Sequence, residues 1–166
     1  SNVANPTLSS AVYDAASGEL TVTGTNFVKE NGSNNDIDIS KLSITGEGGS
    51  SHSYTLTSSD VEVSSNTTFS VTLNAADQLN VGGLLNKNGT SSDGGTTYNL
   101  AAADNWLAGA AASVDISDAS SNGITVSNVA NATLSSAAYN AASGVLTVTG
   151  TNFVKENGSN NDIDIS

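Results

Sequence analysis

The chain begins and ends with nearly the same 40 residues. Residues 1–40 return as residues 127–166, at an offset of 126 residues, with four differences. The differing pairs are Pro6/Ala132, Val12/Ala138, Asp14/Asn140 and Glu19/Val145. Near-identity at a long, fixed period is the signature of a tandem array, and this period is a usual size for one domain. We therefore predict one full domain over residues 1–126 and the first third of the next over 127–166. The alternative is a permuted unit over about 41–166.

Composition narrows the classes of partner. The chain carries 16 acidic residues against four lysines, and its formal net charge is −12. Nucleic acids and anionic membranes are recognised by basic surfaces, so we expect neither as a partner. Divalent cations are natural counterions for such a surface. The absence of cysteine excludes disulfides and thiolate metal sites. No apolar run approaches the roughly 18 residues that a membrane helix needs, so we expect no membrane insertion.

Alternation of apolar and polar residues dominates the pattern and predicts short strands with one buried face. These strands cover 10–13, 19–24, 37–40, 42–45, 54–57, 61–63, 69–73 and 123–126. Turn residues separate them, and residues 14–18 should close a hairpin between the first two. Two stretches favour short helices instead: residues 74–80, begun by Asn74 and ended by Gly82 and Gly83, and residues 100–108.

These elements predict an all-β fold, an antiparallel immunoglobulin-like β-sandwich with one or two short helices. No proline-rich or glycine/serine-rich linker separates Val126 from Ser127. We therefore expect neighbouring repeats of the same chain to join tightly, as in a stiff rod.

Two resemblances extend this interpretation. Residues 20–27, LTVTGTNF, and their copy at 146–153 resemble the IPT/TIG branch of immunoglobulin-like domains, in which an early strand often ends in a similar turn. The wider pattern resembles the repeats of giant bacterial adhesins and biofilm-associated surface proteins. It comprises YDAASGELTVTGTNF, NDIDISKLSITGEGG, YTLTSSDVEV, SVTLNAADQLN and TYNLAAADNW. This resemblance implies extracellular stalk domains on the bacterial cell surface that extend a distal binding module and are commonly rigidified by calcium.

The best candidates for chemistry are aspartates. In an extended strand Asp36 and Asp38 would share one face, and paired carboxylates beside asparagines suit the oxygen ligands of calcium. A solvated strand edge is the alternative. A second candidate, Asp115 with Asp118, lies just before the repeat junction, and a plain acidic loop is the alternative there. The full set of predicted metal ligands is Asp36, Asp38, their copies Asp162 and Asp164, and Asp115 and Asp118. Asp14 and Glu19 are not retained in the second copy, which argues against a ligand role for them.

Other kinds of site have less support. His52 is the sole histidine and has no evident catalytic or zinc-binding partners, and no nucleophile motif stands out, so we do not expect an enzyme. The larger aromatic residues could form a sugar-binding platform, but core packing is the more ordinary role for them. They are Phe27, Tyr54, Phe69 and Trp106.

Three functions follow from these observations. The first is a structural repeat module of a long extracellular bacterial surface protein, an adhesin stalk or a cell-surface or biofilm fibre. The second is a self-assembling filament or sheath subunit, joined head to tail by strand addition because the extra copy of residues 1–40 would expose strand edges. The third is a carbohydrate-binding module repeated for avidity.

Overall fold

A computed structural model describes residues 4–156 and 162–165 of the chain. The chain is mostly β, with a curled mixed sheet of eight strands and a separate sheet of two. The strands are β1 Thr7–Asp14, β2 Glu19–Thr25, β3 Leu42–Thr45, β4 Ser53–Thr55, β5 Val63–Ser65, β6 Thr68–Thr72, β7 Asn99–Ala102, β8 Gly123–Ser127, β9 Thr133–Asn140 and β10 Val145–Thr151. One α-helix, α1, spans Ala75–Leu84, and 3-10 turns cover Ile39–Lys41 and Gly49–Ser51. The order in the large sheet is β4-β3-β7-β8-β1-β2-β6-β5.

The first two strands form the predicted hairpin. Their antiparallel register runs from Thr7 opposite Thr25 to Asp14 opposite Glu19, with a bulge near the start of β1. The turn needs Gly18, whose φ of 72° lies in the left-handed region that glycine adopts at little cost. Alternation then directs one side of both strands into the core, including Tyr13 and Leu20.

The large sheet is not purely antiparallel, which corrects one expectation. The predicted strand at 123–126 is present as β8, but it pairs parallel with β1, from Ser10 opposite Gly123 to Asp14 opposite Ser127. The first and last strands of residues 7–127 are therefore neighbours at the centre of the sheet, with β2 and β7 on their outer sides. Local alternation predicts a strand but carries no information about its direction relative to a distant one.

The strand predicted over 37–40 is wrong. Ile37 makes single bridges to Val61 and Leu107, and the chain then turns into a 3-10 helix over Ile39–Lys41. Asp38 caps that turn by accepting a hydrogen bond from the Ser40 amide. A local cap thus competes successfully with strand pairing, as aspartate side chains commonly do.

The two helix predictions differ in outcome. Helix α1 is confirmed, with the Asn74 side chain accepting the Asp77 amide as its N-cap. It continues through Gly82 and Gly83 rather than ending there, since each glycine costs only about 1 kcal/mol in a helix and buried Val81 holds that turn in the core. The helix predicted over 100–108 is wrong. Its first residues belong to β7, which pairs with β3.

The core is rich in aromatic and branched side chains. Trp106 is fully buried, and its indole N–H donates to the Ile116 carbonyl at 2.8 Å. Phe27 packs edge-on against Trp106 with ring centroids 5.5 Å apart, and it lies 5.7 Å from Phe69. Such pairs add to the stabilisation from apolar burial. Over the described ranges 4–156 and 162–165, no helix is both long and apolar enough to cross a membrane.

Candidate functional site: the junction between the two copies

The chain passes from the first copy to the second through a short, hydrogen-bonded connection. Only residues 128–132 lie between β8 and β9. The Ala15 amide donates to the Ser127 carbonyl at 3.0 Å, and the Asn128 side-chain amide donates to the Asp14 carboxylate at 3.1 Å. The Val129 amide donates to the Asn88 side chain at 2.9 Å. The bond from Asn128, followed by that from the Ala16 amide, holds the pKa of Asp14 below its usual value.

A second contact joins the copies at helix α1. Residues 153–156, here called the junction segment, follow β10 and lie along α1. The Lys155 amide donates to the Leu79 carbonyl at 3.0 Å. Glycine makes this approach possible, because a Cβ at Gly83 would lie 2.0 Å from the Lys155 carbonyl oxygen and one at Gly82 would lie 2.7 Å from the Val154 side chain. Gly82 and Gly83, which were expected to end the helix, therefore form a surface without side chains on which the next copy packs. We call this surface the glycine seat.

Two clefts adjoin this contact. One, of about 540 Å³, is lined by polar and apolar groups in equal measure, among them Tyr13, Leu79, Asn128 and Phe153. The other, of about 470 Å³, brings Glu47 and Asp93 together with Glu156 of the second copy.

The acidic cleft is ordered by hydrogen bonds to one of its carboxylates. Glu47 accepts the Gly94 amide at 2.7 Å and the Asn86 side-chain amide at 3.0 Å. These two bonds hold the pKa of Glu47 below its ordinary value. The junction therefore has one cleft of mixed polarity and one acidic cleft beside the glycine seat.

The second copy contributes a hairpin, here called the second hairpin, β9 and β10, with almost no burial. Its register repeats that of β1 and β2, from Thr133 opposite Thr151 to Asn140 opposite Val145. Residues that build the core in the first copy are exposed in the second. The matched exposures are Leu8 5% and Leu134 74%, Tyr13 2% and Tyr139 66%, and Leu20 0% and Leu146 61%. The same sequence thus occupies two opposite environments in one chain.

The predicted calcium ligands of the first motif have hydrogen-bond partners within the chain. Asp36 is fully buried and accepts the Glu30 amide at 2.6 Å and the Val63 amide at 3.0 Å. Asp38 is half-buried and accepts the amide and the hydroxyl of Ser40. The aspartates therefore organise the backbone around them, whether or not they also bind a cation.

The second copy of this motif is described in part. Asp162 accepts the Glu156 amide at 2.8 Å, as Asp36 accepts that of Glu30. Asp164 also has an interaction partner. The copies of Asn34 and Asn35, at positions 160 and 161, lie outside the described residues.

The other predicted pair lies near the sheet. Asp115 is exposed and accepts the Ser117 amide, a bond that lowers the pKa of Asp115. Asp118 accepts the Leu8 amide and the Asn122 side-chain amide, both at 2.9 Å, and so ties the last loop to β1. Within the described residues, no three acidic or histidine side chains form a group that could hold a metal ion. Calcium binding stays a prediction.

The most elaborate polar cluster was missed by sequence reasoning. Asp77 is fully buried in the first turn of α1. Its carboxylate accepts the amides and hydroxyls of Thr57 and Ser58 and the Tyr54 hydroxyl, at 2.5 to 3.0 Å. Burial raises the pKa of Asp77, but these hydrogen bonds outweigh it and leave the pKa below its usual value. The only sequence signal was the Asn74 cap three residues earlier; the Thr57-Ser58 donors come from a distant loop.

The remaining candidate residues from the sequence, the aromatic residues and His52, do not come together in one site. Trp106, Phe27 and Phe69 are buried, so none of them presents a ring to solvent. His52 lies in an exposed turn, where a ring nitrogen is 2.9 Å from the Gly48 carbonyl.

Comparison with known proteins gives no relative to argue from. No family model matches the chain, and neither a curated protein nor a solved structure matches it. The functional argument therefore rests on the chain's own geometry.

Proposed function

We propose that this chain is a structural tandem-repeat module of a long extracellular bacterial surface protein, such as an adhesin stalk or a cell-surface fibre. The observation that carries the proposal is the junction. Five residues connect the copies, three hydrogen bonds fix that connection, and the junction segment lies on a glycine seat of α1. A module that keeps two parts of a protein at a fixed separation needs such a short connection with specific contacts. Flexible linkers are instead long and have few contacts.

The sheet order supports a load-bearing role. The chain enters residues 7–127 at the start of β1 and leaves at the end of β8, and these strands pair in parallel at five positions. Tension between the two ends would slide β1 along β8 and load all five pairs together. Pulling the strands apart from one end would instead break the evenly spaced bonds one after another. The finer fold that we propose, an immunoglobulin-like β-sandwich, serves the same purpose.

Calcium is a further proposal for stiffening the rod. Extracellular modules bind calcium with Kd of roughly 10⁻⁴–10⁻³ M, and calcium at ten times Kd would stabilise the fold by roughly 1.4 kcal/mol. The test is a thermal melt in calcium and in EDTA, with Asp38→Ala and Asp115→Ala against the exposed control Glu19→Ala, whose equivalent in the second copy is Val145. A calcium-dependent rise that only the first two variants lose supports the proposal. Equal melting in calcium and EDTA rules it out.

The test of the structural role is small-angle scattering on chains of one, two and three complete repeats. A rod with fixed joints predicts a maximum dimension that increases by a constant step per repeat. It also predicts a distance distribution that fits one rigid arrangement. A maximum dimension that grows less than linearly with the number of repeats, as for domains on flexible linkers, would refute the stiff rod.

The filament is a second candidate, favoured by the uncovered apolar side of the second hairpin. Light scattering at increasing concentration discriminates it from the stalk. A growing molar mass supports head-to-tail assembly, and a constant monomer mass removes it. The carbohydrate-binding module receives no comparable support, because Phe27, Phe69 and Trp106 are buried and the partly buried Tyr54 donates its hydroxyl to Asp77.

A further inference from the structure

The second hairpin is already in the conformation it would have inside a folded domain. Its bulge lies at the same place as that of β1 and β2. Asn26 and Asn152 both have φ of 58°, and their side-chain amides donate to equivalent carbonyls at 3.0 and 3.1 Å. A hairpin of two strands is only marginally stable alone in water. Stable formation of this hairpin therefore requires further strands or packing against another element.

The uncovered side of this hairpin is large and apolar. Besides the three residues matched above, four more side chains buried in the first copy are exposed in the second. Val148 at 42% lies in β10 and Phe153 at 37% follows it closely, whereas Ile163 at 62% and Ile165 at 94% lie further along the chain. Contiguous apolar surface of this kind marks an interaction site. Both outer edges of the hairpin also lack a strand neighbour within the described residues.

The first copy identifies what covers such a surface. There, β6 pairs with β2, placing Val71 opposite Leu20 and Phe69 opposite Val22. On the other edge β8 pairs with β1, and Trp106 packs against Phe27. All of these covering elements come from residues 42–127, here called the closing block. Because the two hairpins share sequence and register, the complement of one is the complement of the other.

The closing block of this chain cannot move to the second hairpin within the same chain. In the first copy β8 lies parallel to its hairpin partner, and neighbouring parallel strands need a crossover of about a dozen residues or more. Only residues 128–132 separate β8 from β9. This argues against the permuted unit over 41–166. Two chains that swapped their closing blocks would not cover the second hairpin either. Each chain has two hairpins and one closing block, so the number of uncovered hairpins stays the same.

We propose that the second hairpin is the acceptor for a further copy of the closing block, supplied downstream in the same polypeptide. Strands equivalent to β6 and β8 would pair with β10 and β9, and a tryptophan equivalent to Trp106 would cover Phe153. The junction segment would then lie between two domains, with Val154 against Gly82 on one side. In the first copy the equivalent Val28 already packs on Gly109 of its own domain. This inference rests on the proposed repeat function and names the partner of its open surface.

The test extends the full 166-residue chain after Ser166 by a copy of residues 41–127 and measures amide hydrogen exchange in both chains. In the parent, β9 and β10 should exchange as a fraying hairpin while β1 and β2 are protected. In the extended chain, exchange from β9 and β10 should slow by roughly a thousandfold or more, to the level of a folded domain. The protection of β1 and β2 reports in every sample that the first domain is intact.

Two controls keep the result specific. An extended chain with Phe69→Asp and Val71→Asp in the appended copy only should leave the second hairpin unprotected. Leu146→Asp with Val148→Asp in the hairpin should do the same from the other side. No slowing in the unmodified extended chain overturns the inference. Concentration-dependent protection of the parent hairpin, with a doubled molar mass, overturns it in favour of a second copy of this chain. Slowed exchange combined with flexible scattering would instead refute only the stiff rod.

Discussion

Replacing Gly83 by alanine should separate the stability of the first domain from the integrity of the junction. The three nearest atoms to a Cβ at this position all belong to the junction segment, at 2.0 to 3.3 Å, so the segment must leave its seat. Within α1 the same change is favourable by about 0.8–1.0 kcal/mol, because alanine loses less backbone entropy than glycine in a helix. The lost bond from Lys155 to Leu79 has a net worth of about 0.5–1.5 kcal/mol.

The two contributions oppose each other and are of similar size. The midpoint of thermal unfolding should therefore stay within about 4 °C of the parent, while the Lys155 amide loses its protection against hydrogen exchange. Gly123→Ala is the matched control, because nothing lies within 4 Å of its Cβ, and it should leave Lys155 protected. Continued protection of Lys155 in Gly83→Ala, or a large loss of thermal stability, would refute the seat that we describe.

Three further predictions concern the buried polar groups. Asp77→Ala should cost at least about 2 kcal/mol in urea unfolding, since it leaves the buried Ser58 amide and the part-buried Thr57 amide without an acceptor at about 1–3 kcal/mol each; an unchanged midpoint would contradict this. The pKa values of Asp77, Glu47 and Asp14 are lower in the folded protein than in the unfolded chain. The stability that these groups contribute is therefore present above about pH 4 and is lost as pH falls through the folded pKa. A series of thermal melts between neutral and acid pH can measure this loss. Burial, followed by the charges of Asp14 and Asp77, raises the pKa of Tyr13 to about 12. The stability that neutral Tyr13 contributes is therefore present below about pH 10 and is lost as pH rises toward 12. Ultraviolet titration should detect one tyrosine that ionises this late, and its signal should be absent in Tyr13→Phe.

Much of the local structure follows from short-range rules. The hairpin around Gly18 and the N-cap at Asn74 were predictable because a turn glycine and a capping side chain act within a few residues. The sequence predicted Asp36 and Asp38 as calcium ligands, which stays a prediction, and it could not reveal that backbone amides of Glu30 and Val63 are partners of Asp36. Those donors come from loops brought together by the fold.

The errors have a common physical origin. Residues 100–102 are good helix formers by composition, yet β7 forms because its partner β3 offers a complete ladder at that position. Helix α1 passes through Gly82 and Gly83 because packing of its buried side, not glycine propensity, decides where it ends. In both places tertiary contacts outweigh local preferences of about 1 kcal/mol.

The sequence by itself determined the repeat, its period and the conformation of its hairpin, which is the same in both copies because register and turn are set by neighbouring residues. Only the tertiary structure decided that β8 lies parallel to β1. It also decided that Leu20 is buried while its identical counterpart Leu146 is exposed. Burial of apolar surface depends on which distant chain segments are present to exclude water. The identity of a residue and of its neighbours along the chain does not contain that information.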